Sequence, residues 1–355
     1  MNTVAERFDP RSNALNLIRL CLAALVIVSH AIPIGGLGDE PHLGDSSLGL
    51  LAVGGFFVIS GYLITQSRAS MGFFPYLWRR ALRILPAYWV VLIFTAFVAA
   101  AVVGLSRGGW SADAAAHYVL SNADMWHGDA IVGQTLAGSP FPEAWNGSLW
   151  TLRYEVWCYL FIAVAYFVPL VRRNKWITLA IYIVLAILSL IVLGNGIHSG
   201  IAYHLALLVP FFFAGATLFH FADLVPVRWQ LAVASAVIVV VLCFLGLGRS
   251  LSGIPIAYLM FWIGISAPEW AKRLGRTNDY SYGMYLYGFP VQQLLVVVGL
   301  NELGAPLYVI ACILATIPFA VASWWAIERP AMKLKRLVKT RPRAKLPADR
   351  ARLSA

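Results

Sequence analysis

Apolar residues do not alternate with polar ones along this chain; they come in long runs separated by short polar or glycine-rich joints. A helix rises about 1.5 Å per residue and needs about 20 apolar residues to cross a bilayer, so each run reads as a transmembrane helix. Ten such segments are expected, at about residues 14–34, 46–67, 83–105, 148–170, 175–193, 200–220, 228–247, 252–267, 280–299 and 305–326. The run at 252–267 is the shortest and contains Pro255. The fold expected is all-α: a polytopic integral membrane protein with about ten helices in one bundle over residues 1–335. A basic tail at 336–355, charged and proline-containing, has the composition of a disordered segment.

Composition sharpens this picture. Of the 355 residues 60% are hydrophobic and 12% charged, against about 25% charged in soluble domains, so most of the surface must face lipid. Glu6, Arg7, Asp9 and Arg11 precede the first run, and no short apolar stretch ends in a small-residue cleavage site, so that run is expected to stay as the first span. The net charge of +11 is concentrated at the same ends of alternate spans. Arg7 and Arg11 lie there, then Arg68, Arg79, Arg80 and Arg83, then Arg172, Arg173 and Lys175, then Lys272, Arg273 and Arg276, and finally the tail. The opposite loops hold only Arg107 and Arg249. Positive flanks stay inside, which puts both termini in the cytoplasm; the membrane expected is the cell's inner (plasma) membrane. A basic tail in this setting suits anionic lipid, with no call for nucleic acid. Cys21, Cys158, Cys243 and Cys312 fall inside spans without CxxC spacing, so they read as small hydrophobes, and no metal-ligand pattern is present.

Against this background the intramembrane polar residues are conspicuous. Arg19 and His30 stand eleven residues apart in the first span, which is three turns plus about 20°, so they share a face about 16 Å apart. Either His30 is a general base with Arg19 holding an anion or an acidic partner below it, or Arg19 snorkels to the inner interface and His30 caps the outer end. The run RRALRILP, Arg79 to Pro86, opens the third expected span; Arg80 and Arg83 share a helix face and suit a coenzyme's phosphates, or serve as a positive flank. In GSLWTLRYEVWCYL, residues 147–160, Glu155 lies about two turns inside the membrane and cannot share a face with Arg153. It is either a proton-handling group or half of an interhelical pair. The glycines of GGFFVISGYLI, residues 54–64, permit close helix approach and place Tyr62 as a polar ring. Tyr280, Ser281, Tyr282, Tyr285 and Tyr287 crowd hydroxyls into the ninth span, and Glu328, Arg329 and Pro330 close the tenth.

Two outward loops carry the remaining polar candidates. Residues 106–147 hold Trp110, His117, Asp124, Trp126, His127, Asp129, Glu143 and Trp145, a mixture that suits either sugar stacking or an interfacial aromatic belt. Residues 35–47 add Asp39, Glu40, His42 and Asp45.

Taken in order, these strings resemble the acyltransferase-3 family of integral membrane acyltransferases, which includes O-acetyltransferases of lipopolysaccharide, exopolysaccharide and Nod factor. The resemblance runs from Arg19 to Pro330 through Arg-x10-His, FFVISGYLI, RxxRIxP at Arg80–Pro86, SLWTLxxE at Ser148–Glu155, SYxxYLY at Ser281–Tyr287 and the closing Glu-Arg-Pro. Two positions depart from it. Leu17-Ile18 stand where Asp-Gly commonly precedes the arginine, and Gly288 stands where many members have histidine. The resemblance implies an O-acyltransferase that moves an acyl group, acetyl first of all, from cytoplasmic acyl-CoA to a hydroxyl of an extracytoplasmic saccharide or polysaccharide. Under it His30, Glu155 and Arg19 are catalytic, with Glu155 orienting or protonating His30. Arg80 and Arg83 hold acyl-CoA; Tyr62, Ser148, Trp150, Tyr282 and Tyr285 contact substrate. A transporter or flippase for a glycan or lipid-linked sugar, with Arg19 and Glu155 as an ion pair, is the rival reading.

Overall fold

Residues 2–126 and 128–338 are described by a computed structural model; His127 and the expected tail from residue 339 lie outside the described residues. A short helix, α1 (Val4–Arg7), precedes α2 (Leu15–Ile34). A two-residue hairpin, β1 (His42–Leu43) with β2 (Ser46–Ser47), turns the chain into α3 (Leu48–Ser70). Then come α4 (Phe73–Arg107), α5 (Ala112–Asn122), α6 (Trp150–Ala165), α7 (Lys175–Gly194), α8 (Gly200–His220), α9 (Trp229–Phe244), α10 (Gly253–Ser266), α11 (Ser281–Val297) and α12 (Ala305–Leu337). Polar side chains start several of them: Ser47 Oγ accepts the Leu50 N–H at 3.1 Å, and Asn174 Oδ1 accepts the Trp176 N–H at 3.0 Å.

Each of the ten expected segments contains a helix, and α2, α3, α4, α7, α8 and α12 are long and apolar enough to cross a membrane. The other four are shorter, from 14 to 17 residues. One boundary changes the chemistry. α4 starts at Phe73, ten positions before the expected 83, because the aromatic stretch FFPYLW is itself helical. RRALRILP therefore lies inside a helix.

α2 and α3 form the centre. α11 and α12 pack on α2, while α8 packs along α3 and carries α7 and α10 with it. The α3–α8 contact depends on glycine: a Cβ on Gly61 would overlap the Phe212 carbonyl, and one on Gly215 the Val58 carbonyl. The small residues of GGFFVISGYLI therefore serve backbone approach. Tyr62 is buried there in an aromatic cluster, with ring centroids 4.1 Å from Phe261 and 5.3 Å from Phe8. Its expected place against a substrate is occupied by packing.

Wider π turns interrupt two helices. In α4 the turn Thr95–Ala99 leaves the Ala96 carbonyl to accept the Trp110 indole N–H at 2.9 Å. In α12 the turn Trp324–Glu328 ends on a carboxylate that is 1% exposed.

Candidate functional site

At the Arg19 end of α2, four charged groups from four segments meet. Arg19 donates to Asp279 Oδ2 at 2.6 Å, and Arg83 from α4 reaches the same oxygen at 2.6 Å. The second nitrogen of the Arg83 fork meets Glu328 Oε2 at 2.8 Å, and Ser323 Oγ donates to the other Glu328 oxygen at 3.0 Å. Asp279 lies just before α11, where Ser281 Oγ donates to its Oδ1 at 2.5 Å. Burial pushes the Asp279 carboxyl up, but the guanidiniums of Arg19 and Arg83 outweigh it and hold it down at about 2. The expected CoA ligand Arg83 is thus already bidentate between two carboxylates, and its guanidinium lies 5.4 Å from the Tyr282 ring centre. Tyr282 itself donates to the Ile84 carbonyl at 3.0 Å. Arg80 is different. It makes no hydrogen bond or ion pair to a described residue, its Nε is buried, and Tyr159 and Glu155 lie within electrostatic range.

Glu155 belongs to this region and not to His30. Its Oε1 accepts from Ser60 at 2.6 Å and from Tyr159 at 2.5 Å. From the sequence it stood about two turns inside a span expected from 148 and was matched with His30. Instead α6 begins at Trp150, and the segment before it enters the bundle as non-helical chain, with Ala144, Trp145, Asn146, Ser148 and Leu149 all buried. Such backbone is tolerated among apolar helices only if its polar groups find partners. Gln293 Nε2 donates to the Phe141 and Ala144 carbonyls at 2.8 Å each, and Tyr285 donates to the Ser148 carbonyl at 2.6 Å. Asn146 Nδ2 donates to the Leu286 carbonyl at 2.9 Å. Ser148 Oγ donates to Asn146 Oδ1 at 2.8 Å, and Thr151 hydrogen-bonds the Tyr285 hydroxyl. Ser148 and Tyr285, expected on a substrate, hold this buried segment to α11. Trp150 packs on His204, with ring centroids 4.5 Å apart, and Arg153 lies over Trp126 and Tyr154.

At the other end of α2, the carboxylate beside His30 is Glu40. His30 Nδ1 is 3.8 Å from Glu40 Oε1, and that oxygen accepts from Ser29 Oγ at 2.5 Å. Ser29 Oγ also accepts the Gly49 N–H at 2.8 Å, so the start of α3 fixes the arrangement. The hairpin turns Glu40 back toward α2: Leu48 N–H donates to the Pro41 carbonyl at 2.9 Å, and Asp45 is anchored by Arg249. Phe289 from α11 covers one side of the imidazole, with centroids 5.6 Å apart. Gly288 is confined on the same helix, since a Cβ there would come within 2.8 Å of Ile27. A side chain at that position would require Ile27 to shift.

Sequence reasoning missed three partners. Glu40 was visible only as one acid in an acidic loop. Asp279 stood one residue before the expected ninth span and drew no role, although the lack of an acid at Leu17-Ile18 asked for one elsewhere. Glu328 looked like an interfacial stop because nothing local reveals a π turn.

In the large outward loop the aromatics divide. Trp145 is buried and donates to Thr135 Oγ1 at 2.8 Å, while Trp126 is 37% exposed and stacks near Trp157 at 5.1 Å. His117 pairs with Asp129 at 2.7 Å on the surface.

Residues 12–325 match the model of a family described as an acyltransferase domain. An "O-acetyl transferase" of Shigella phage Sf6 is 31% identical, over 81% of this chain and 86% of its own length. "Nodulation protein 10" of Rhizobium leguminosarum bv. viciae is 28% identical, over 93% of this chain and 96% of its own length. No solved structure matches the chain significantly.

Proposed function

The chain belongs to this acyltransferase family, and from that premise we propose that it moves an acetyl group from cytoplasmic acyl-CoA to a hydroxyl of an extracytoplasmic saccharide. It is an acyltransferase and a multi-pass membrane protein, and the family's acceptors are saccharides. The donor, the inner-membrane location and the ten crossings are our reading, and so are the cytoplasmic termini, which the distribution of Lys and Arg supports.

The observation that carries the mechanism is the His30–Glu40 pair. A carboxylate beside Nδ1 favours the imidazole tautomer protonated there and leaves Nε2 to accept a proton. Nε2 of His30 takes the proton of the acceptor hydroxyl as that oxygen attacks the thioester carbonyl. The C–O bond forms, the C–S bond breaks, and His30 returns the proton to the departing thiolate. Glu40 holds the ring and compensates the imidazolium while it lasts. Arg80, without a hydrogen bond or ion pair to a described residue, is the cation we assign to the donor's phosphates. Arg19 and Arg83 position α2 and α4 around it through Asp279. Glu155, held by Ser60 and Tyr159, contributes negative potential beside Arg80 and does not act on His30 directly.

Membranes carrying the protein should transfer label from acetyl-CoA to a surface polysaccharide. His30→Ala should abolish this, and full transfer by that variant would overturn the mechanism. A transporter for the same glycan would leave the thioester intact.

A further inference from the structure

Beside the Arg19–Asp279 pair is a cavity of about 440 Å³ that the mechanism above does not use. Phe8, Pro10 and Leu63 give it an apolar side, and Arg11, Asn16 and Arg276 a polar one. We propose that it receives the phosphorylated adenosine of the acyl-CoA donor, with Arg11 and Arg276 on its 3′-phosphate. This rests on the acyl-CoA reading and adds a binding site to it.

Both guanidiniums are without an ion pair or side-chain hydrogen bond among the described residues. Both arginines are exposed and line one hollow that no acidic side chain lines, so an anion there would meet two fork-shaped donors and no competing carboxylate. The walls are fixed. The Arg11 N–H donates to Asp9 Oδ1 at 2.8 Å, Asn13 Nδ2 to the Asp9 carbonyl at 2.8 Å, and the Leu15 N–H to Asn13 Oδ1 at 3.0 Å. Further up, the Val4 N–H donates to the Val225 carbonyl at 2.9 Å, and Phe8 is buried against Tyr62. Asn16 Nδ2 donates to the Gly275 carbonyl at 2.7 Å, which ties α2 to the loop carrying Arg276. The volume lies within the range of about 300–1,000 Å³ usual for small-ligand sites, and the apolar side offers a purine a dry surface.

Position supports the same ligand. Asn16 and Arg19 are one turn apart on α2, and Arg276 and Asp279 are three residues apart in one loop, so the cavity adjoins the charged cluster. From Asn16 to His30 is fourteen residues, about 21 Å along the helix and about 40° from a shared face. An extended phosphopantetheine arm has a comparable reach. A nucleotide at Asn16 therefore sets the thioester at the depth of His30.

The test compares acetyl-CoA with acetyl-3′-dephospho-CoA in membranes carrying the wild type, R11E/R276E or R11K/R276K. The wild type should have a KM about tenfold lower for acetyl-CoA; the glutamate pair should remove that discrimination, and the lysine pair should largely keep it. Adenosine 3′,5′-bisphosphate binding to the solubilised protein should follow the same order, independently of turnover. Absence of transfer from both thioesters by the wild type would overturn the donor reading and this assignment together. Transfer that ignores both the 3′-phosphate and the charge reversal would overturn the assignment alone.

Discussion

The two ends of α2 treat charge in opposite ways. At the Arg19 end two guanidiniums and two carboxylates touch at 2.6–2.8 Å, with Glu328 only 1% exposed. At the His30 end one imidazole and one carboxylate stand 3.8 Å apart, with side chains 28% and 27% exposed. In the first group every charge is answered by protein, so the cluster fixes helices. In the second the partners are held near each other without saturation, which leaves a nitrogen for a substrate. Burial of charge marks both regions as special, and only the looser one is placed to exchange a proton.

The comparison breaks most sharply at Asp279. Asp279→Ala leaves Arg19 and Arg83 facing each other with one carboxylate fewer, and removing one partner of a buried ion pair costs about 3–5 kcal/mol. Thermal unfolding of the solubilised protein should fall markedly, with activity following it. Arg80 and the His30 end are then the controls, since neither contributes to that network. His30→Ala should reduce transfer by about 10²–10⁴-fold with an unchanged melting temperature, the range for loss of a positioned general base. A melting shift like that of Asp279→Ala would show that His30 is structural after all. Glu40→Gln keeps the shape and removes the compensating charge, so a smaller loss, about tenfold in kcat, is expected in the same assay. If Glu155→Gln reproduced the effect of Glu40→Gln on the pH dependence of kcat, the assignment of His30's partner would be reversed.

What the sequence made legible follows from range. Apolar runs reveal helices because insertion is decided within one segment, and the small residues around Gly61 announced a close helix contact, though not that α8 would make it. The spacing of Arg19 and His30 gave their shared face for the same local reason. Asp279 and Glu328 answer Arg83 from 196 and 245 residues away, and no local pattern encodes such a meeting. Glu155 was misplaced because hydropathy cannot distinguish a span from a buried irregular segment followed by a shorter helix. Of the residues that make the irregular segment tolerable, Ser148 and Tyr285 looked like substrate contacts because polar groups inside a membrane are ambiguous until their partners are known, and Gln293 and Asn146 drew no role.

The smallest expected effect is also the cleanest separation of the two ends. Asp279, with its carboxyl held at about 2, is below its ordinary value, so its contribution to stability is complete above the unfolded value near 3.8 and is lost only as pH falls toward 2. Between pH 9 and 5 this group should add no slope to the melting temperature, and Asp279→Asn should lower the curve without tilting it. Transfer activity should instead fall on the acid side, because the imidazole of His30 must be neutral to accept a proton. Activity that changes with pH while stability does not is the signature expected of a rigid charged cluster at one end of α2 and a working base at the other. A stability curve that tilts between pH 9 and 5 and loses that tilt in Asp279→Asn would mean that the cluster is not saturated, and the contrast between the two ends would fail.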